Sequence, residues 1–475
     1  KILFFLLILA GIIIRSLWVK IHPPTGIHLT KEKAPSLFSI IYEICTKQES
    51  MRPYAVLLNN DFNAFISQVP RLGIFGWYKN YLVLGLPYML SCNTQQFKAV
   101  LAHEFGHFSG SHGRLGIWIY RIRSSWYNII ENMQYQSRMG SFLFLWFFNW
   151  YVPYFNAYSF VLAREQEYEA DRYANDYAGA QANAEELVNS AIKNNASGPY
   201  WQEVWAQVND VAHPPTDVFS KSVEILNRSV PQEEYLDYLK KALRIRTQNL
   251  DTHPSLKDRL AALGYRPQGE NIIDRRGQPL ILQGEYAQNA AEDLMGKENV
   301  RTFLKRFDEE WVVHIKDEWK KRHEEVQRMK QQIDILNQKA TKEKLSESDM
   351  AERAYYIDQI KPKQEAIQAI KELVKVYPQH APGHYRLGEL LLEENDEQGL
   401  DCLKKAMKLD PGYSSSCLEK IRWHHEAKGE YEEVEQAMDK LDESVNVDQE
   451  DYKERNMITA KDHYKEHDLE ERVVV

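Results

Sequence analysis

Apolar and polar positions along the chain divide it into stretches of different period. An uncharged run from Ile2 to Ile14 ends at Arg15, and Leu17, Trp18 and Val19 extend it. The run falls short of the roughly 20 apolar residues a bilayer span needs, yet it carries no charge, so segment 1–22 reads as a membrane anchor that could begin upstream of Lys1. A buried core helix and a signal peptide are the alternatives, the latter lacking a small-x-small cleavage site before Arg15. Arg15, Lys20, Lys31 and Lys33 follow closely, and the positive-inside rule then puts the downstream chain in the cytoplasm. From Pro53 to Leu86 the period shortens to β-type runs, Tyr54–Leu58 and Tyr81–Leu84, between Asn, Gly and Pro clusters, which predicts a small sheet.

Helical spacing takes over at Asn93-Thr94, a capping pair followed by Phe97, Val100, Leu101, Phe105 and Phe108 until Gly110. Residues 141–163 form an uncharged aromatic run interrupted by Asn149, Pro153 and Asn156, which fits either a membrane-proximal helix or a buried one. Leu162 to Ala178 reads as a helix ending near Gly179, and Ala184 to Ile192 begins another. Residues 299–354 are charged and helical, with Trp311, Trp319, Val326 and Ile333 along them, as in a solvated helical hairpin. Beyond lies a repeat: Ala366, Ile370, Leu373 and Pro378 recur as Gly399, Leu403, Ala406 and Pro411. The offset is one short of the tetratricopeptide period of about 34 residues. Leu387-Gly388 and Leu391 sit at the small-and-large positions between, and Gly429, Tyr431, Val434 and Ala437 resemble part of another unit.

Composition narrows the function classes. The 475 residues carry 59 Lys and Arg against 68 Asp and Glu, a net charge of −9, so the basic excess of a nucleic-acid binder is missing. A hydrophobic fraction of 44% argues against disorder, and a mean hydropathy of −0.54 excludes a polytopic transporter. Cys45, Cys92, Cys402 and Cys417 show no CxxC spacing and read as free thiols of a reducing compartment, so any metal site must use His and carboxylates.

His103-Glu104-Phe105-Gly106-His107 supplies such a site. Positions i and i+4 of a helix lie about 40° apart around its axis, so both imidazoles can meet one Zn²⁺ while Glu104 reaches a water as general base. A catalytic zinc takes three protein ligands and keeps one position open. Arg164-Glu165-Gln166-Glu167-Tyr168-Glu169-Ala170-Asp171 offers carboxylates, of which Glu167 and Asp171 share a helix face. One could ligate zinc and an acid one turn later could accept an imidazole N–H; without the histidines the stretch would be an ordinary solvated charge cluster.

VLAHEFGH followed by FVLAREQEYEAD resembles the M48 peptidases, membrane-associated zinc proteases that include the CAAX prenyl protease and the HtpX-type protease. Their R-x-x-E-x-x-A-D element is matched by Arg164, Glu167, Ala170 and Asp171. The resemblance implies zinc ligands His103, His107 and Glu167, with Glu104 as catalytic base and Asp171 and Arg164 around the ligands. It extends to Asn63-Ala64-Phe65 and to Thr252-His253-Pro254 with Arg259 and Leu260, covering about Pro53 to Leu263. In related proteins the histidine equivalent to His253 lies near the zinc, stabilising the tetrahedral intermediate or acting as an inhibitory ligand. A helix-cap role for Asp251-Thr252-His253-Pro254 is the plainer reading. His213 is a weaker rival, and helix geometry turns His112 away. Arg114, Arg121, Arg123 and Arg138 break up a region where HtpX-type members have two spans, so prenyl-peptide specificity does not carry over.

The expectation is an α+β, predominantly α protein. It comprises the anchor at 1–22, a zincin-like peptidase domain with a small sheet at 23–265, and a linker with charged hairpin at 266–360. Tetratricopeptide-like repeats at 361–445 and a charged tail at 446–475 complete it. The expected function is a membrane-associated zinc endopeptidase of protein quality control, its catalytic domain cytoplasmic. One Zn²⁺, a polypeptide substrate held along the sheet edge near Tyr81–Gly85, membrane lipid and a protein partner on the repeats are expected with it. The rival is a membrane-tethered repeat scaffold or chaperone with an inactive or latent protease domain; an intact Glu104 argues against inactivity.

Overall fold

A computed structural model describes residues 22–70, 78–109, 141–227, 230–245, 247, 253–269, 271–280 and 289–428, with 430, 432, 433, 436 and 437 beyond them. The expected anchor up to residue 21, His112, the arginines at 114, 121, 123 and 138, Thr252, Gly429, Tyr431, Val434 and the 446–475 tail lie outside the described residues. The fold is α+β and mainly α. The chain divides into two units, Lys1–Tyr200 with Asp217–Glu309, and Trp201–Thr216 with Glu310–Val475.

The first unit opens with β1 (Ile27–Leu29), α1 (Pro35–Lys47), β2 (Ala55–Asn59), β3 (Ala64–Pro70) and β4 (Tyr78–Gly85). The strands form one sheet in the order β1-β2-β4-β3. β2 and β4 run parallel, with Leu58 opposite Leu84, and β3 pairs antiparallel with β4, Ile66 opposite Leu82. This corrects the expected edge. Tyr81–Leu84 is paired on both sides, and the edge strand on that side is β3, of which the sequence motif marks only Asn63-Ala64-Phe65; β1 forms the opposite edge. The chain turns at 60–63 and lays β3 beyond a strand not yet made, a long-range pairing that no local period announces. Gly85 carries the crossing: a Cβ there would lie 1.8 Å from the Asp61 carbonyl oxygen and 2.6 Å from that of Asn63.

The chain then enters α2 (Leu86–Ser91), α3 (Thr94–Gly106), α4 (Ser141–Ala178) and α5 (Ala180–Ala206). Asn93 starts α3 with a full capping box, its side chain accepting from Gln95 and Gln96 N–H while the Gln96 side chain takes the Asn93 N–H. α3 is buried on nearly every side, from Gln96 and Phe97 to Phe105. It ends at Gly106, before the expected stop at Gly110, because there it meets α4: a Cβ at Gly106 would lie 3.1 Å from Ala170 Cα. Ala99, Ala174, Ala178 and Ala182 form a buried cluster nearby, and small residues at such a seam let helix axes approach closely. The aromatic run 141–163 belongs to α4, which is continuous over 38 residues. Among the described residues no helix is long and apolar enough to cross a membrane. The unit continues with α6 (Val218–Asn227), α7 (Gln232–Arg244), α8 (Leu256–Leu263), a hairpin of β5 (Arg266–Gln268) and β6 (Asn271–Ile273), and α9 (Ala290–Met295).

α10 (Lys297–Ala340) passes from the first unit into the second, which holds α11 (Glu347–Ile360), α12 (Lys363–Val376), α13 (Ala381–Glu393), α14 (Gln398–Leu409) and α15 (Ser414–Lys428). The recurrent positions are core: Ala366, Ile370, Leu373, Leu403 and Ala406 are all buried. Pro378 and Pro411 both fall two residues after a helix end, where proline bars continuation. Gly388 and Gly399 let α13 and α14 meet, since a Cβ at Gly388 would lie 2.9 Å from the Gly399 carbonyl oxygen. Alternate helices are tied by charge, Arg386 to Asp358 at 2.8 Å and Lys420 to Glu389 at 2.9 Å.

Candidate metal centre

The α3–α4 seam brings together the residues the two motifs nominate. His103 and His107 are one turn apart on α3, and Glu167 comes from the α4 face that also carries Asp171. The two Nε2 atoms lie 3.3 Å apart. Glu167 Oε2 is 3.5 Å from His103 Nε2, and its Oε1 is 3.5 Å from His107 Nε2. All three side chains are buried, and their ligand atoms lie within 4.8 Å of one another.

Asp171, one turn after Glu167, sets the chemistry of this group. Its Oδ1 lies 3.0 Å from His103 Nδ1, which favours a proton on Nδ1 and leaves the Nε2 lone pair aimed at the cluster. Two imidazole nitrogens and a carboxylate thus converge on one point, a ligand set that fits a divalent transition metal and zinc in particular once the protons are displaced. The local field favours positive charge here. Burial opposes a charged His103, but the hydrogen bonds to Asp171 and Glu167 outweigh it and raise the imidazole to about 10. Burial likewise opposes ionised Glu167, yet His253 and His107 hold its carboxyl well below the usual carboxylate range.

Glu104, next to His103, is half-buried and stays outside the three-residue cluster. Burial raises its carboxyl, against the lowering effect of His103 and His253, and the Ile66 backbone N–H donates to it. Gly85 N–H donates to the Asn63 carbonyl, so by antiparallel alternation Asn63, Phe65 and Ser67 bond β4, while Ala64, Ile66 and Gln68 turn their backbone groups to the free edge. The Ile66 bond to Glu104 agrees with that alternation and sets the β3 edge beside the metal cluster.

His253 reaches the same site, its Nδ1 2.6 Å from Glu167 Oε2 with the ring about half exposed. It does not belong to the helix cap: Ser255 caps α8, accepting from Asp258 N–H, and His253 and Pro254 precede it. Arg164 lies elsewhere than the sequence reading put it. Its guanidinium bonds Tyr168 and faces Asp258 at 3.6 Å, tying α8 to α4 instead of flanking the ligands.

Arg259 takes that flanking place. It donates to both Asp171 oxygens, at 3.0 Å and 2.6 Å, and Asp171 is held well below its ordinary value, with Arg259 and His103 overcoming the cost of burial. In the sequence Arg259 belongs to the motif that opens with Thr252-His253-Pro254, and its spacing there does not reveal the contact with Asp171. Glu186 on α5, outside every motif, is buried and accepts a hydrogen bond from the hydroxyl of the half-buried Tyr88 on α2.

A buried His-His-carboxylate set with a free acid beside it and a strand edge alongside defines a candidate mononuclear metal centre. Residues 37–267 match the family model described as Peptidase family M48, a segment just under half of the chain that contains every residue of this site. No curated protein matches the chain.

Proposed function

We propose that this protein is a zinc-dependent endopeptidase. The convergence of His103, His107 and Glu167, with His103 backed by Asp171, carries the reading, and the M48 match over the same segment supports it. Zinc held by these three residues would polarise a scissile carbonyl and acidify a water. Glu104, its carboxyl raised by burial, takes the proton of the attacking water and delivers it to the leaving nitrogen. An extended polypeptide pairs with the outward carbonyls of the β3 edge, those of Ala64 and Ile66, by strand addition, which aligns its backbone with the cluster. His253, facing the cluster across Glu167, stabilises the negative charge that develops on the carbonyl oxygen.

The remaining parts of the reading concern location and partners. Residues 141–163 of α4 are uncharged and expose Trp150 and Val161, which suits contact with a membrane surface and supports a membrane-associated enzyme; the basic residues that follow the N-terminal apolar run support a cytoplasmic site. The helices from Glu347 to Lys428 resemble tetratricopeptide pairs and offer a surface for a protein partner. Quality control of membrane-associated proteins is the role that combines these features.

The deciding experiment compares the wild type with Glu104→Gln on an unfolded protein substrate, with chelation and zinc re-addition as controls. The wild type should cleave at least about 100-fold faster, the contribution of a general base, and lose activity on chelation. Wild-type cleavage no faster than the variant would reject the protease reading and leave the scaffold as the better account.

A further inference from the structure

His253 approaches Glu167 from a stretch of backbone that is fixed just beyond it. Pro254 and Ser255 follow it, both buried, and the Ser255 N–H donates to the Thr247 hydroxyl at 2.8 Å. Proline locks its own φ at about −65° and restricts the residue before it to extended conformations. Little freedom therefore remains between the Ser255 amide and the His253 Cα, and whatever holds that amide sets where the imidazole starts.

Thr247, which follows the end of α7, holds it with both capacities of one hydroxyl. The oxygen accepts from Ser255, and the proton goes to Asp258 Oδ2, 2.6 Å away. Asp258 N–H closes the ring on Ser255 Oγ at 3.2 Å. This ring is tied to the helix that carries the carboxylate ligand: Asp258 faces Arg164 of α4 at 3.6 Å, and the next residue, Arg259, donates to both Asp171 oxygens. The contact of His253 Nδ1 with Glu167 Oε2 at 2.6 Å is thus made between two segments that the Thr247 ring keeps in register.

We propose that Thr247 is a positioning residue for the proteolytic reaction, its hydroxyl holding the Ser255 amide so that His253 stands over Glu167. The proposal rests on the role given to His253 in the zinc-peptidase reading. With its ring about half exposed, His253 has little packing to orient it, so its aim depends on its backbone. Misplacing a catalytic group by about 1 Å can cost about 100-fold, so a pin one step removed is expected to be worth about tenfold in rate.

The test is steady-state cleavage of an unfolded protein by the full chain in a double-mutant cycle, alongside amide hydrogen exchange of the metal-free protein. Thr247→Val keeps the shape of the side chain and removes the hydroxyl. Exchange at Ser255 should quicken, and kcat should fall about tenfold, in the same sense as for His253→Ala, with KM and zinc Kd near those of the wild type. Thr247→Ser keeps the hydroxyl and should restore both exchange and kcat. In a His253→Ala background Thr247→Val should change kcat no further, because residues that act through one group are not additive. An equal fall in both backgrounds, or none in the wild-type background, would overturn the proposal and reduce Thr247 to a fastening of α8. A wild type that cleaves nothing would overturn the protease reading and this proposal with it; Ser255 exchange, which needs no substrate, tells that failure apart from failure of the pin.

Discussion

Oδ1 of Asp171 lies 3.0 Å from Nδ1 of His103, and both Asp171 oxygens receive Arg259. The carboxylate is therefore fixed before it fixes the imidazole. Asp171→Asn removes the charge from a nearly isosteric side chain and should weaken zinc binding about 10–100-fold, the usual cost of losing a ligand's outer partner. Chelator competition measures this; an unchanged Kd would mean that His103 holds its orientation without Asp171.

Protonation of His103 gives the metal-free protein a characteristic pH dependence. The folded value of about 10 lies above the ordinary 6.5. A group raised on folding contributes stability that is complete below its unfolded value and disappears as pH rises through its folded one. Melting of the metal-free protein should thus fall between pH 6.5 and 10, and saturating zinc, which takes the proton's place, should flatten the decline. A metal-free melting point that holds constant over this window would contradict the assignment of carboxylates around His103.

His253 separates two modes of control. It contacts Glu167 yet is half exposed and lies outside the α8 cap, so its removal should spare folding. If it stabilises developing charge, His253→Ala lowers kcat by about 100-fold, as loss of one such donor does elsewhere, with zinc content unchanged. A rise in kcat would show instead that His253 keeps the enzyme latent.

Gly85 tests the sheet crossing. A Cβ within 1.8 Å of a backbone oxygen has no flexible neighbour to displace, so Gly85→Ala must move the 61–63 segment and with it the start of β3. Overpacking of this kind costs about 1–3 kcal/mol, and chemical denaturation should register it, together with a raised KM because the strand edge shifts. A variant of wild-type stability and KM would show that the crossing is looser than its contacts indicate.

Local chemistry made much of this protein legible before any tertiary contact. The capping pair at Asn93-Thr94, the one-turn spacing of His103 and His107 and the shared face of Glu167 and Asp171 all follow from the 3.6-residue period, which a short window of residues contains. The same holds for the buried triplets that end before Pro378 and Pro411. Other features depended on which distant segments meet. Small residues at Gly106, Ala170 and Ala174 close the α3–α4 seam and turn two separate motifs into one cluster. β3 took the edge that β4 was expected to hold, because strand order is decided by pairing across the chain. Arg164 and Arg259 are alike as residues, and only the packing of α8 on α4 decided which of them faces Asp171. Glu186 and Tyr88 carry no motif at all: the hydrogen bond that joins α5 to α2 through them is a property of the folded chain and not of any stretch of it.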